Sequence, residues 1–378
     1  MCLLLVAAFH PLQVLSQPTQ SDVPYGTDPL QELDYYSAMS PNSPVIIVVH
    51  GGGWWTGDKS GLPYANAAQL FNDEGYAVVN INYRLTPAVT FPAHISDLAC
   101  ALTWAKNHAS LLNGDSSRVA IYGHSAGGQM AAYLGTNADR ALLTGCNYSS
   151  SLNVDGVFLT SATVDFDMTN PANWPPIKRM LGDSAAYWEV AQPINHTANN
   201  FDTKFLILCG DLDDLWYQQD FAFNDSLLIH GHCSSVKLFK GHDHNSLIAN
   251  LTPADTVFQT MLAFLDSLWQ GTLCPVTGID LDNEAIDDFN LAQNYPNPFN
   301  ANTTIRYDLP KSTRVVLKIY DLLGQEVRTL VNENQPAGHK SVTWDGKSNS
   351  AQNVSSGIYL YRLMTPEFMK TKKLLLIK

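Results

Sequence analysis

Along the first 270 residues, short continuous apolar runs alternate with longer stretches in which apolar residues recur at helical spacing. Val45 to Val49 is a run of five apolar β-formers and predicts a buried strand. Residues 63–74 read as a helix and Tyr76 to Ile81 as a second strand. Over 92–112 a long helix is expected, with Leu98, Leu102, Ala105, Ala109 and Leu112 on one apolar face and Pro92 near its start. Arg118 to Tyr122 reads as a strand and Ala126 to Leu134 as a helix. Further strands follow at 155–160, 204–209 and 235–239, with helices at 216–229 and 254–269. Regular alternation of strand and helix predicts a parallel sheet covered on both faces. In such sheets function collects at the carboxyl ends of strands, where His50, Ser125 and Asp213 fall. Residues 165–200, with Trp174, Tyr187 and Trp188, break the rhythm and read as a small cap.

From residue 289 the period changes. TTIRYDL, TRVVLKIYD, VRTLV, KSVTWDG, GIYLYRL and MKTKKLLLIK are short β-rich runs separated by turns. Val315, Leu317 and Ile319 alternate with Arg314, Val316 and Lys318, as in a half-buried strand. Several such runs at this spacing predict a small β-sandwich. Charge supports a boundary. Residues 289–378 carry 12 Lys and Arg against 6 Asp and Glu, a net of +6, whereas residues 1–288 carry 10 against 29, a net of −19. The expected organisation is therefore an apolar leader at 1–16, an α/β domain at 17–270, a linker at 271–288 and an all-β domain at 289–378.

The net charge of −13 disfavours nucleic acid as a partner. No internal apolar run reaches the roughly 18 residues needed to span a bilayer. The head MCLLLVAAFHPLQVLSQ has an apolar core from Leu3 to Phe9 ahead of Val14-Leu15-Ser16, as in a secretory signal, although the first basic residue is Lys59. Six cysteines in an exported chain permit disulfides of unreadable connectivity, with Cys100 and Cys209 equally suited to being isolated buried thiols.

Chemistry enters with RVAIYGHSAGGQMAAYLG. Gly123-His124-Ser125-Ala126-Gly127 fits G-x-S-x-G between a strand and a helix, where a tight turn lifts the serine hydroxyl clear of the sheet. Ser125 is the expected nucleophile, and the Ala126 N–H lies where an oxyanion would form. A serine needs a base and an acid to orient it. KFLILCGDLDDLW offers Asp211, Asp213 and Asp214 after a strand, and a Gly-x-x-Asp turn from Gly210 selects Asp213. SVKLFKGHDHNSLI offers His242 and His244; His244, just before a helix, is preferred as base and His242 as a loop residue. After the strand at 45–49 come His50, three glycines, Trp54 and Trp55. The N–H groups of Gly52 and Gly53, with that of Ala126, form a candidate oxyanion hole, and His50 is expected to hold that loop. Trp54, Trp55 and Trp216 are candidate walls of a substrate pocket. Arg84 and Asp97 read as a polar contact fixing a helix. His230 and His232 have the spacing of a metal pair, but no cysteine or carboxylate set completes a site, so no metal is expected.

HGGGWWTGDK, NYRL, FPAHISDLACALTWA, GHSAGG, CGDLDD and GHDHNS, in this order, resemble α/β-hydrolase esterases over roughly residues 24–270. The resemblance is to HGGG-type carboxylesterases, the branch with feruloyl and acetyl-xylan esterase-like and kynurenine formamidase-like enzymes. It implies Ser-His-Asp hydrolysis of a small-molecule or polysaccharide-linked ester without a cofactor, with an arylformamidase-like amidase as the alternative activity. A non-catalytic binding protein on the same scaffold is the alternative from another class. FNLAQNYPNPFNANTTIRYDLP, YDLLGQEV, GIYLYRL and KTKKLLLIK resemble the C-terminal sorting domain of type IX secretion cargo. That resemblance implies the type IX machinery as partner and a secreted or outer-membrane-surface location in a Gram-negative bacterium.

Overall fold

In the computed structural model the described residues are 17–137, 140–146, 151–166, 175–182, 186–213, 216–249, 251–274, 288–295 and 297–377. The leader at 1–16, most of the linker, Asp214 and Trp174 lie outside them. The apolar runs become strands of one eight-stranded sheet. These are β1 (Gln20–Pro24), β2 (Glu32–Tyr36), β3 (Ser43–Val49), β4 (Ala77–Ile81), β5 (Gly114–His124), β6 (Gly156–Thr160), β7 (Lys204–Gly210) and β8 (Ser234–Phe239). Their spatial order is β1-β2-β4-β3-β5-β6-β7-β8. β3 to β8 pair in parallel, and β2 joins β4 antiparallel.

The continuous apolar run of β3 is explained by burial on both faces. Ile47 and Val49 pack toward α2 (Ala93–Asn107), α3 (Ala126–Gly135) and α6 (Trp216–Ile229). Ile46 and Val48 pack the other way, toward α1 (Leu62–Asp73) and α8 (Thr256–Trp269). The cap contributes the short α4 (Pro175–Leu181) and α5 (Ala186–Val190), and α7 (Ser246–Ala249) follows β8.

Three expectations change. The helix expected to 112 ends at Asn107, with His108 as its C-cap and Pro92 as its N-cap. Ala109 and Leu112 stay buried in the turns beyond it, so the apolar period outlasts the helix. Cys100 is not an isolated thiol but pairs with Cys146, and Cys233 pairs with Cys274. Cys209 is the buried free cysteine among the described residues.

The third change is the hairpin β1–β2, whose polar sequence gave no strand signal. It is held by Lys59, only 3% exposed, which bonds Asp22 and Asp34 at 2.5 and 2.9 Å and lies 3.5 Å from Glu32. Burial works against this ammonium, yet the bonds to Asp22 and Asp34 outweigh it and raise its pKa. Lys59→Met would leave Asp34 buried without a countercharge, its remaining bond being from the Asp22 N–H, and should cost about 3 kcal/mol in thermal or denaturant unfolding. Because the folded pKa lies above the ordinary 10.5, the contribution should be complete below that pH and be lost only as pH rises through the folded value.

The second domain is a sandwich of two antiparallel sheets. One contains β9 (Asn290–Leu291), β10 (Thr303–Leu309) and β13 (Gly338–Trp344), in the order β13-β10-β9. The other contains β11 (Thr313–Tyr320), β12 (Glu326–Gln335), β14 (Gly357–Met364) and β15 (Met369–Leu376), in the order β12-β11-β14-β15. Val315, Leu317 and Ile319 are all buried, as their alternation requires. Trp344 and Tyr361 are buried beside them and form core, not an aromatic platform for a ligand. The domains dock through α6. Arg306 bonds Asp225 at 2.5 Å and lies over Phe221, while the Tyr295 hydroxyl donates to Asp165. A cleft of about 390 Å³ remains between them, lined by Tyr217, Phe221, Arg306 and Lys370 among others, and neither Ser125 nor His244 lines it.

Candidate active site

The site grows out of the turn between β5 and α3. Ser125 sits at φ 53°, ψ −117°, a backbone conformation that non-glycine residues rarely adopt. The glycines on either side permit it by close approach. A Cβ on Gly123 would lie 2.5 Å from the Gly127 carbonyl, and one on Gly127 would lie 2.4 Å from the Val49 carbonyl and 2.6 Å from that of His50. The second contact presses the first turn of α3 against the end of β3, which leads into Gly51–Gly53. Nucleophile and candidate oxyanion loop are thus fixed to each other through the backbone.

Asp213 and His244 arrive on the loops after β7 and β8. The Asp213 N–H returns to the Gly210 carbonyl at 3.2 Å, which is the Gly-x-x-Asp turn read from sequence. The two loops are stitched together. The Leu212 N–H donates to the His242 carbonyl at 3.0 Å, and the Gly241 N–H donates to Asp211 at 2.6 Å. His242 therefore supports the acid loop through its backbone, and Asp211 supports the histidine loop. Asp243 accepts from the Asn245 and Ser246 N–H groups and shapes the turn that carries His244 into α7.

These loops bring the three expected residues into series. His244 Nε2 is 2.9 Å from Ser125 Oγ, and His244 Nδ1 is 2.9 Å from Asp213 Oδ2. A carboxylate can only accept, so Nδ1 carries the proton and Nε2 is free to take the one on Ser125. The Ser125 hydroxyl can be deprotonated at the moment it attacks. Among the described residues none of the N–H groups of Gly52, Gly53 and Ala126 donates a hydrogen bond within the chain. They are available for a ligand oxygen.

The three loop glycines have separate causes. Gly52 has φ +119°, and a Cβ there would lie 2.1 Å from the Thr56 carbonyl. Gly53 has φ +60°. Gly51 is required by space: a Cβ would lie 2.7 Å from His124 Nδ1 and 3.0 Å from the Tyr64 hydroxyl. His50 is buried, donates from Nδ1 to the Gly51 carbonyl at 2.7 Å and stacks on Tyr83 at 4.3 Å. Burial lowers its pKa to about 4, so it is a neutral brace of the loop.

The aromatic walls separate. Trp54 is 2% exposed and belongs to the core instead of an open pocket wall, because its indole N–H is drawn inward to Gln129 Oε1 at 3.2 Å. Gln129 also donates to the Ala191 carbonyl below the cap. Trp55 stays half exposed under the Arg179 guanidinium, 5.1 Å from its ring centroid. Trp216 begins α6, and its side chain lies outside the described residues. Arg84 and Asp97 form the structural contact expected, paired at 2.7 Å with Gln31 as a third partner. His232 stacks on Phe201, and His230 bonds Thr197 and Ser226.

Sequence reasoning passed over Tyr64, His124 and Gln129. The variable position of G-x-S-x-G and an unremarkable tyrosine on α1 carry no motif signal. Asp220 was also missed. It is fully buried on α6, with both carboxyl oxygens lacking a partner. Burial first, and then the charge of Asp213, push its pKa well above the usual carboxylate range.

Comparison with known proteins agrees with this architecture. The chain is 30% identical over 200 residues to the probable carboxylic ester hydrolase LipM of Mycobacterium tuberculosis, covering 50% of this chain and 46% of LipM. It is 35% identical over 118 residues to esterase LipC of the same organism, covering 30% of this chain and 29% of LipC. The chain thus spans less than half the length of these curated relatives. A truncated carbohydrate esterase from gut microbiota superposes with a TM-score of 0.60 at 21% identity, over 69% of this chain and 99% of that one. The bifunctional GH43-CE protein of Bacteroides eggerthii superposes at 0.58 and 24% identity, over 66% of this chain and 38% of that one. At such identities these structures establish the α/β-hydrolase fold. Residues 299–365 match the FlgD Ig-like domain, in keeping with the C-terminal sandwich. The BD-FAE family model matches residues 33–227, just over half the chain, with Ser125 and Asp213 inside the match and His244 beyond it, and the chain belongs to that family.

Proposed function

We propose that this chain hydrolyses carboxylic esters through an acyl-enzyme on Ser125. The observation that carries the reading is the series Ser125–His244–Asp213, joined at 2.9 Å twice, beside three uncommitted backbone N–H groups. Ser125 Oγ attacks the ester carbonyl carbon as its proton passes to His244 Nε2. The oxyanion gathers the N–H groups of Gly52, Gly53 and Ala126, each such donor contributing about 3 kcal/mol in the transition state. Collapse breaks the bond to the alcohol oxygen, which takes the proton from His244. Water then adds to the acyl group with His244 again as base, releasing the acid and restoring Ser125. Asp213 holds the imidazole and stabilises its charged form, and no cofactor enters the reaction.

The likeness to esterases among the relatives and to a carbohydrate esterase among the solved structures supports an ester carried on a carbohydrate. Trp55, half exposed beside the Gly51–Gly53 loop, supports contact with an aromatic acyl group or a sugar ring. Two disulfides support an oxidising compartment and hence export. The C-terminal sandwich, with its basic strand β15, is proposed to be the type IX sorting domain, which would place the enzyme outside the cell or on the outer-membrane surface.

A p-nitrophenyl ester chain-length panel, run beside methyl ferulate, acetylated xylan and N-formylkynurenine with Ser125→Ala as control, tests the activity. Turnover of esters that the control lacks supports the proposal. Turnover of N-formylkynurenine alone would favour the arylformamidase-like reading, and no turnover with any substrate would count against catalysis.

A further inference from the structure

His124 and Tyr64 stand between the two halves of the site. The Gly51 N–H donates to the Tyr64 hydroxyl oxygen at 2.9 Å. That hydroxyl lies 3.0 Å from His124 Nδ1, and His124 Nε2 lies 2.9 Å from the backbone carbonyl of His244. The chemistry of the ends fixes the direction of the chain. A carbonyl only accepts, so His124 Nε2 must carry hydrogen. In a neutral ring Nδ1 is then an acceptor, and the Tyr64 O–H must donate to it. Tyr64 in turn has its oxygen free for the Gly51 N–H. Four groups use each donor and acceptor once, in one sense, from the oxyanion loop to the catalytic histidine.

We infer that Tyr64 and His124 are positioning residues for the reaction proposed above, a one-directional hydrogen-bond relay that locks the Gly51–Gly53 loop to the loop bearing His244 and keeps an uncharged imidazole beside it. The inference rests on that reading of the site and deepens it. The lack of room for a Cβ at Gly51 shows how closely the relay is built against the loop. His124 is 2% exposed, and its ring centroid is 5.2 Å from that of His244. The titratable groups facing it are Tyr64 from α1 and His244 from the loop after β8. Burial, reinforced by His244, lowers the His124 pKa to about 3, while burial raises that of Tyr64. Each therefore keeps the protonation state the relay needs at neutral pH. A second cation at His124 would oppose the imidazolium that His244 becomes during acyl transfer and would reverse the Nδ1 bond.

The relay acts on the transition state, because it fixes donors that engage only the developing oxyanion. Tyr64→Phe removes the acceptor of the Gly51 N–H and the donor to His124 Nδ1. It should lower kcat about tenfold with KM unchanged. His124→Gln retains a donor at the Nε2 position and His124→Asn an acceptor at the Nδ1 position, so each should lose part of that activity. Combining Tyr64→Phe with His124→Gln should cost little more than the larger single loss, because the links act as one unit. A merely structural role predicts additive losses that track unfolding temperature.

The decisive readout needs no relay variant. In full-length Ser125→Ala protein with 15N-labelled histidine, long-range proton–nitrogen correlation should show His124 as the neutral Nε2–H tautomer from about pH 5 to about pH 9. An Nδ1–H tautomer, or titration of His124 in that range, would overturn the relay whatever the ester panel gives. A correct tautomer with no ester turnover would leave the relay in place and reject only the catalytic reading. Additive losses, or a rise in KM at constant kcat, would also overturn the positioning role.

Discussion

Ser125→Ala is expected to remove ester turnover almost entirely, lowering kcat by about a millionfold, as loss of a triad nucleophile does. The variant keeps the fold, because alanine only deletes Oγ. The strained φ of 53° is held by backbone bonds: the Ser125 N–H donates to the Thr160 carbonyl at 3.0 Å, and the Gln129 N–H donates to the Ser125 carbonyl at 3.0 Å. Substrate should still bind, so KM should move little while kcat collapses. Residual hydrolysis above water would reflect the Gly52, Gly53 and Ala126 N–H groups acting alone. Steady-state kinetics on the best ester of the panel, with thermal unfolding to confirm the fold, make the check.

Asp213→Asn should give the next largest loss, about ten-thousandfold in kcat. The acid is nearly buried, with a side chain 6% exposed, and its Oδ2 is what holds hydrogen on His244 Nδ1. An asparagine can turn its amide N–H toward that nitrogen. The hydrogen then moves to Nε2, where it faces Ser125 and leaves no acceptor for the serine proton. The loop itself should survive, because its stitching runs through Asp211, Leu212 and the His242 carbonyl. A kcat within tenfold of the parent would show that Asp213 does not orient His244. Unchanged unfolding with lost activity is the expected pair of results.

The parts of this site that were legible in the sequence are those whose chemistry is local. Ser125 is announced by the glycines that its turn needs, and Asp213 by the turn from Gly210. His244 required a choice between two histidines two residues apart: only the residue leading into α7 projects its ring to the serine, while His242 contributes a carbonyl. The parallel strands were legible because burial on both faces leaves unbroken apolar runs, as in Val45 to Val49. The hairpin β1–β2 was not, because its inward-facing Asp34 is answered by Lys59 from another segment, and in sequence such an acid looks like any that faces water. The end of α2 was misplaced for a related reason: Ala109 and Leu112 continue the helical period inside turns. Cys100 and Cys146 meet only through tertiary packing, so their pairing left no local trace. Trp54 pointed inward because its partner, Gln129, lies on α3, and Tyr64 and His124 form a functional pair only once α1 and β5 are side by side.

The central claim is that Ser125 is a nucleophile activated by His244 beside an anion-stabilising loop. Incubating the full chain with a fluorophosphonate and weighing the intact protein tests it most directly. The account predicts one adduct per chain, mapping by peptide sequencing to Ser125 and absent from Ser125→Ala. A chain that stays unlabelled, or one whose adduct persists in Ser125→Ala, would contradict it.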